Sequence, residues 1–267
     1  MAGTELTNIR SPRVKAARRL TKRSFREQDR RFLAEGPQAV REALKLDGVV
    51  SELFATAEAE LRHPELIAEA VRLDLPVHRA SGEVMAELSQ TVTPQGLLAV
   101  CGHVHVPLDQ GIPQDARLVA VLAHVRDPGN AGTVLRAADA AGADAVVFTD
   151  ASVDPYNGKC VRASAGSLFH LPVVTGAPTA EAVRLLKERG LRVLAADGAG
   201  ERTLDDVELA GPTAWIFGNE AWGLPEELLS LADDVVRVPI YGKAESLNLA
   251  TAAAVCLYAS ARAQRVP

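Results

Sequence analysis

Aromatic side chains are scarce, at 4% of 267 residues, so Ala, Val and Leu must fill any core. Cysteine is nearly absent: Cys101, Cys160 and Cys256 are scattered, with no C-x-x-C pair, which excludes a disulfide framework. A reducing cytoplasm is the expected setting. No apolar run reaches the ~20 residues needed to span a bilayer, the longest being residues 247–261. Residues 1–31 are basic and polar, without the apolar region of a secretory leader. No G-x-G-x-x-G follows the first strand of the α/β pattern, and Gly198-Ala199-Gly200 is incomplete and late. That argues against a nicotinamide oxidoreductase. Gly242-Lys243 lacks the upstream Gly and the following Ser/Thr of a P-loop. His103 and His105 share a strand face but have no evident third ligand, so no metal site is expected.

What is present describes an ordinary globular chain, 48% hydrophobic and 24% charged. The net charge of −5 hides an asymmetry. Residues 1–45 carry twelve Lys/Arg and five Asp/Glu, and the remainder carries seventeen and twenty-nine. A basic arm on an acidic body points to a polyanion such as nucleic acid; a solvated basic helix is the plainer alternative.

Strand and helix patterns alternate through both halves. A helix over residues 13–26 would turn Val14, Ala17 and Leu20 inward. Strands follow at 32–34, 53–55, 77–78 and 96–104, with helices at 37–46, 64–73 and 81–88. Residues 106–116 hold two Pro, one Gly and no periodicity, a linker signature. Beyond it, strands at 118–123, 145–149, 191–196, 214–217 and 235–238 alternate with helices at 129–141, 179–189 and 225–231. A long Ala-rich helix closes the chain. The expectation is an α/β protein with a small domain over 1–105, a linker over 106–116 and a larger domain over 117–267.

Three segments pair a strand end with a loop and polar residues, the usual address of a site in an open α/β sheet. His124-Val125-Arg126-Asp127-Pro128-Gly129-Asn130 opens a helix carrying Arg136; Asn130 also reads as a cap and Arg136 as a surface ion pair. Gly218-Asn219-Glu220 follows the strand at 214–217, where Gly218 allows close backbone approach and Glu220 offers a carboxylate; an exposed turn is the alternative. Trp222 beside it reads as packing or interface. Val238-Pro239-Ile240 leads to Ser246-Leu247-Asn248 at the start of the last helix, where Ser246 is the expected N-cap.

Taken in order, Asn130 with Arg136, then Gly218-Asn219-Glu220, then Pro239 with Ser246-Leu247-Asn248 resemble the three motifs of the SpoU (TrmH-like) RNA ribose 2′-O-methyltransferases, of the SPOUT class. Residues 162–166 with Leu171-Pro172 resemble the stretch between the first two motifs. Residues 32–36 and Thr93-Pro94-Gln95-Gly96 resemble a ribosomal-protein-like substrate-binding domain that many members carry. Asn219 stands where small residues also occur, and Ala221 where Gly is common.

The resemblance implies a C-terminal sheet with a deep trefoil knot that binds S-adenosylmethionine. The positions implied for that cofactor are Gly218, Asn219, Val238, Pro239, Ile240 and Leu247, with Asp197 and Gly198 on a further loop. Arg136 would assist deprotonation of a ribose 2′-hydroxyl, with Asn130 orienting Arg136 or the ribose. Glu220 would tether Arg136 or Asn248, and Ser246 and Asn248 would order the pocket. Arg10, Arg13, Lys15, Arg18, Arg19, Lys22 and Arg23 would contact the RNA backbone, and Arg162, Ser164 and Ser167 a phosphate beside the site; helix capping and surface charge are the alternatives for the last three. The resemblance further implies a homodimer through the C-terminal domain and RNA rather than DNA, since the 2′-hydroxyl distinguishes the two. Ribosomal RNA is favoured over transfer RNA; a transfer-RNA enzyme and a non-catalytic RNA-binding protein are the competing readings.

Overall fold

The computed structural model describes residues 5–265. The chain divides into two compact units: one takes the chain up to Val104 together with Tyr156–Phe169, the other takes His105–Pro155 and the chain from His170 onward.

The first unit begins with α1 (Pro12–Arg19) and α2 (Arg23–Asp29), where the sequence suggested one helix. Val14, Ala17 and Leu20 are buried as expected. The break has a local cause. Arg26 is buried, and its guanidinium donates to the carbonyls of Leu20 and Thr21 at 3.0 and 2.9 Å. Those carbonyls would otherwise lack partners at the end of α1. Strands β1 (Arg31–Glu35), β2 (Val50–Ala55), β3 (Val77–Arg79) and β4 (Leu97–Gly102) form a sheet in the order β1-β4-β2-β3. Helices α3 (Pro37–Leu44), α4 (Ala57–Arg62), α5 (Pro64–Arg72) and α6 (Gly82–Leu88) connect them. Pro37 and Pro64 sit in the first turns of their helices, where the missing N–H costs nothing. The short α4, capped by Thr56 through the N–H of Ala59, was not legible beforehand.

In the second unit, the presumed linker is packed structure. It contains α7 (Leu108–Gly111), Ile112 and Ala116 are buried, and Gly111 lies so close to Val174 that a Cβ there would meet it at 2.3 Å. Strands β5 (Leu118–Leu122), β6 (Ala145–Thr149), β7 (Val173–Ala177), β8 (Arg192–Ala196), β9 (Arg202–Thr203), β10 (Thr213–Phe217) and β11 (Asp234–Arg237) pair in parallel, in the order β7-β6-β5-β10-β8-β11-β9. Every residue of β5, β6 and β10 is buried, the mark of strands covered on both faces. The helices are α8 (Pro128–Ala141), α10 (Thr179–Glu188), α11 (Glu226–Leu229) and α12 (Leu249–Arg265). α12 packs against α8, β10 and β5. It is fastened by a buried bond from the Trp215 indole N–H to the Ser260 hydroxyl, at 2.9 Å.

Between β6 and β7 the chain supplies α9 (Gly158–Ser164) and a 3-10 turn, Ser167–Phe169, to the first unit. Tyr156 packs at a tilt against Phe32 and stacks on His103, with ring centres 4.6 and 4.1 Å apart, and Arg162 pairs with Glu35 at 3.0 Å. A stretch expected within residues 117–267 therefore completes the first unit.

Candidate active site

The strand order changes direction between β5 and β10, the topological switch at which open α/β sheets hold ligands beyond the carboxyl ends of the strands. The pairing runs one residue further, from the Ala123 N–H to the Phe217 carbonyl at 2.9 Å, and both chains then turn. His124 takes φ 62°, a left-handed conformation rare outside glycine. Its carbonyl is held by the Asn219 side-chain amide at 2.9 Å. Asn219 also accepts the Ala221 N–H and exchanges two backbone bonds with Gly223, so it closes its own loop and braces the neighbouring one. The sequence suggested that Gly218 brings backbone close to a ligand. The structure gives another reason: a Cβ at 218 would lie 2.5 Å from the Gly223 backbone.

Glu220 is the hub. One carboxylate oxygen accepts the Arg126 N–H at 3.1 Å; the other accepts the Asp127 N–H at 3.0 Å and the Asn130 amide at 3.3 Å. Burial alone would raise its pKa, but the backbone N–H groups of Asp127, Glu220 and Arg126 and the Asn130 amide outweigh that, and the carboxyl sits below its ordinary value. The Asn130 side-chain oxygen in turn accepts the Asn248 side-chain amide at 3.1 Å. Asp127, not Asn130, caps α8 by accepting the Asn130 N–H at 2.8 Å. Asn248, not Ser246, caps α12 through the N–H groups of Ala250 and Thr251. The two amide side chains are thus fixed at both ends.

Arg136 stands apart from this hub. It is exposed and, among the described residues, makes no hydrogen bond or ion pair. The tether from Glu220 to Arg136 is therefore absent, and Glu220 reaches Asn248 only through Asn130.

Beside the hub lies a cavity of about 600 Å³. Asp197 and Gly198 line one wall, Gly218, Asn219 and Glu220 the next, and Val238, Ile240, Ser246 and Leu247 the mouth. Pro239, between two lining residues, is not itself on the surface of the cavity. Asp197 ties the walls together, its carboxylate accepting the N–H groups of Ala199 at 2.9 Å and Leu224 at 3.3 Å. Trp222 is not packed away: it is 60% exposed and lines the cavity. Leu249 and Ala252 add apolar surface. A volume of this size, lined about equally by polar and apolar surface, suits a nucleoside-sized ligand. Among the described residues there is no cluster that could hold a metal ion.

In the first unit, four of the seven basic residues expected to meet RNA are paired within the protein. Arg13 bonds Glu52 at 3.2 Å, Arg18 Glu87 at 2.6 Å, Arg19 Asp29 at 2.7 Å and Arg23 Glu27 at 2.7 Å. The side chains of Arg10, Lys15 and Lys22 are exposed and unpaired among the described residues. Ser164, expected at an RNA phosphate, is fully buried and donates to the Val161 carbonyl at 2.8 Å. It serves its own helix end, as Ser167, also buried, serves the core.

The profile of the SpoU rRNA Methylase family matches residues 117–258, and that of the MRM3-like substrate binding domain matches residues 11–99. The chain is 35% identical, over 95% of its length and 98% of the relative's, to the 23S rRNA (guanosine(2553)-2′-O)-methyltransferase RlmP of Bacillus subtilis. It superposes with TM-score 0.86 and 32% identity on an AdoMet-bound rRNA methyltransferase of Sinorhizobium meliloti, covering 99% of both chains. A second solved structure, the SpoU methyltransferase AviRb of Streptomyces viridochromogenes in complex with AdoMet, matches with TM-score 0.83 and 29% identity over 95% of this chain and 98% of that one. The chain belongs to the SpoU rRNA Methylase family.

Proposed function

We propose that the protein transfers a methyl group from S-adenosylmethionine to a ribose 2′-hydroxyl of ribosomal RNA. The observation that carries this is the Glu220–Asn130–Asn248 hub at the rim of a nucleoside-sized cavity, joining three segments far apart in the chain. The apolar rim of Ile240, Leu247, Leu249 and Ala252 suits a purine face, and the polar loops at 197–198 and 218–220 suit a ribose. The cofactor supplies an electrophilic methyl on a sulfonium.

The chain's own residues do the positioning, which for an in-line displacement accounts for much of the rate. Asn130 and Asn248, locked to each other and to Glu220, orient the ribose. Arg136 is free to meet the substrate. A guanidinium offers only donors and no lone pair to accept a proton, so it is a poor base. Its role is to hold the phosphate and stabilise the alkoxide as the proton leaves to solvent. Arg10, Lys15 and Lys22 take the RNA backbone.

The return of α12 from the far side of β8 to pack on α8 supports the knotted threading expected of this class. Val255 and Tyr258, 39% and 52% exposed on the outer side of α12, support a homodimer through this unit. Three buried free thiols suit a reducing cytoplasm.

Ribosomal RNA and transfer RNA, unmodified, are incubated with labelled S-adenosylmethionine, and 2′-O-methyl sites are mapped. Label confined to ribosomal RNA at one site is expected. Label on transfer RNA alone, or none, overturns the reading. Arg136→Ala is expected to lower turnover by about 100-fold or more with cofactor binding intact.

A further inference from the structure

Four charged residues line the cavity, and three are already engaged. Asp197 accepts two backbone N–H groups. Glu220 accepts two backbone N–H groups and the Asn130 amide. Arg237 donates to the carbonyls of Gly200 and Glu201 at 2.8 and 2.7 Å. Glu245 alone lines the cavity with no hydrogen bond or ion pair among the described residues. Lys243, two residues away, is also unpaired but does not line the cavity.

We infer that Glu245 is the counter-charge for the α-ammonium of the methyl donor's methionine tail. This rests on the reading of the cavity as the S-adenosylmethionine site. That ligand carries two cationic centres, the sulfonium and the ammonium, and a single unengaged carboxylate must serve one of them. The sulfonium loses its charge as the methyl leaves. A carboxylate stabilising it would favour the ground state over the transition state and slow transfer. The ammonium keeps its charge throughout, so a carboxylate there adds binding without raising the barrier. The chain position agrees: Glu245 precedes Ser246 on the exposed mouth loop, whereas the transferring end must face the Asn130–Asn248 pair.

The test is calorimetric binding of three probes to the wild-type protein, Glu245→Gln and Glu245→Asp. S-adenosylmethionine has both cations, S-adenosylhomocysteine only the ammonium, and 5′-methylthioadenosine neither. Glu245→Gln is expected to weaken the first two by a similar factor, roughly 3- to 10-fold, and to leave methylthioadenosine unchanged. Glu245→Asp is expected to recover part of the loss. Weakening of S-adenosylmethionine alone would assign the carboxylate to the sulfonium and overturn the inference. Equal weakening of all three, or of none, would overturn it as well. If the wild-type protein binds none of the three, the reading of the cavity itself fails.

Discussion

Glu220 is a carboxylate that organises backbone. It gathers the N–H groups of residues 126 and 127 and the Asn130 amide, so its charge fixes the loop that begins α8. Because its pKa is lowered in the fold, its contribution to stability is complete above the ordinary carboxylate value and is lost as pH falls through the lower folded-state value. Glu220→Gln is therefore expected to lower the melting temperature at neutral pH, with the gap to wild type closing as the pH falls below the ordinary glutamate value of 4.5. A gap independent of pH would show that the charge is not what matters. At this scale the residue identities were readable in the sequence, but their bonds were not. Glu220 was expected to hold Arg136 or Asn248, and it holds Asn130. Ser246 was the expected cap of α12, and Asn248 performs it. The cap was misplaced because polar side chains one or two positions apart are interchangeable to a pattern, and only the loop path decides which oxygen meets the helix.

Among the elements, the strands of the second unit were the most legible. Buried parallel strands are continuous apolar runs, and β5, β6 and β10 are such runs apart from Thr149 and Thr213 at strand ends. The loop after β10 depends on Gly218. Gly218→Ala brings a Cβ within 2.5 Å of the Gly223 backbone and is expected to cost about 1–3 kcal/mol by denaturant unfolding, together with measurable loss of S-adenosylmethionine affinity. The last helix adds to its packing one buried bond to the sheet. Ser260→Ala leaves the Trp215 N–H without a partner at 0% exposure, and a loss of about 1–3 kcal/mol is expected, with turnover at permissive temperature unchanged. The helix break at residues 20–22 was not legible, because an arginine turned inward to cap carbonyls looks in sequence like one more surface cation.

Over the whole molecule, the chain passes between its two units three times, because Tyr156–Phe169 belongs with the first. No composition shift marks that insertion; its evidence is spatial, in Tyr156 against Phe32 and Arg162 against Glu35. The basic arm, by contrast, was plain in the charge count, but most of its arginines are paired. RNA affinity is expected to fall with salt, and replacing Arg10, Lys15 and Lys22 with Ala is expected to reduce the slope of log affinity against log salt by about two to three. A slope unchanged in that variant would remove the arm from the interface. By itself the sequence determined the α/β class, the order of the elements, and which short segments carry chemistry, because helix and strand periodicity and strand-end loops are local properties. Only the tertiary structure decided which polar groups meet. Asn130 lies 90 residues from Glu220 and 118 from Asn248, and contacts at that separation are set by how strands order in a sheet, which no local pattern encodes.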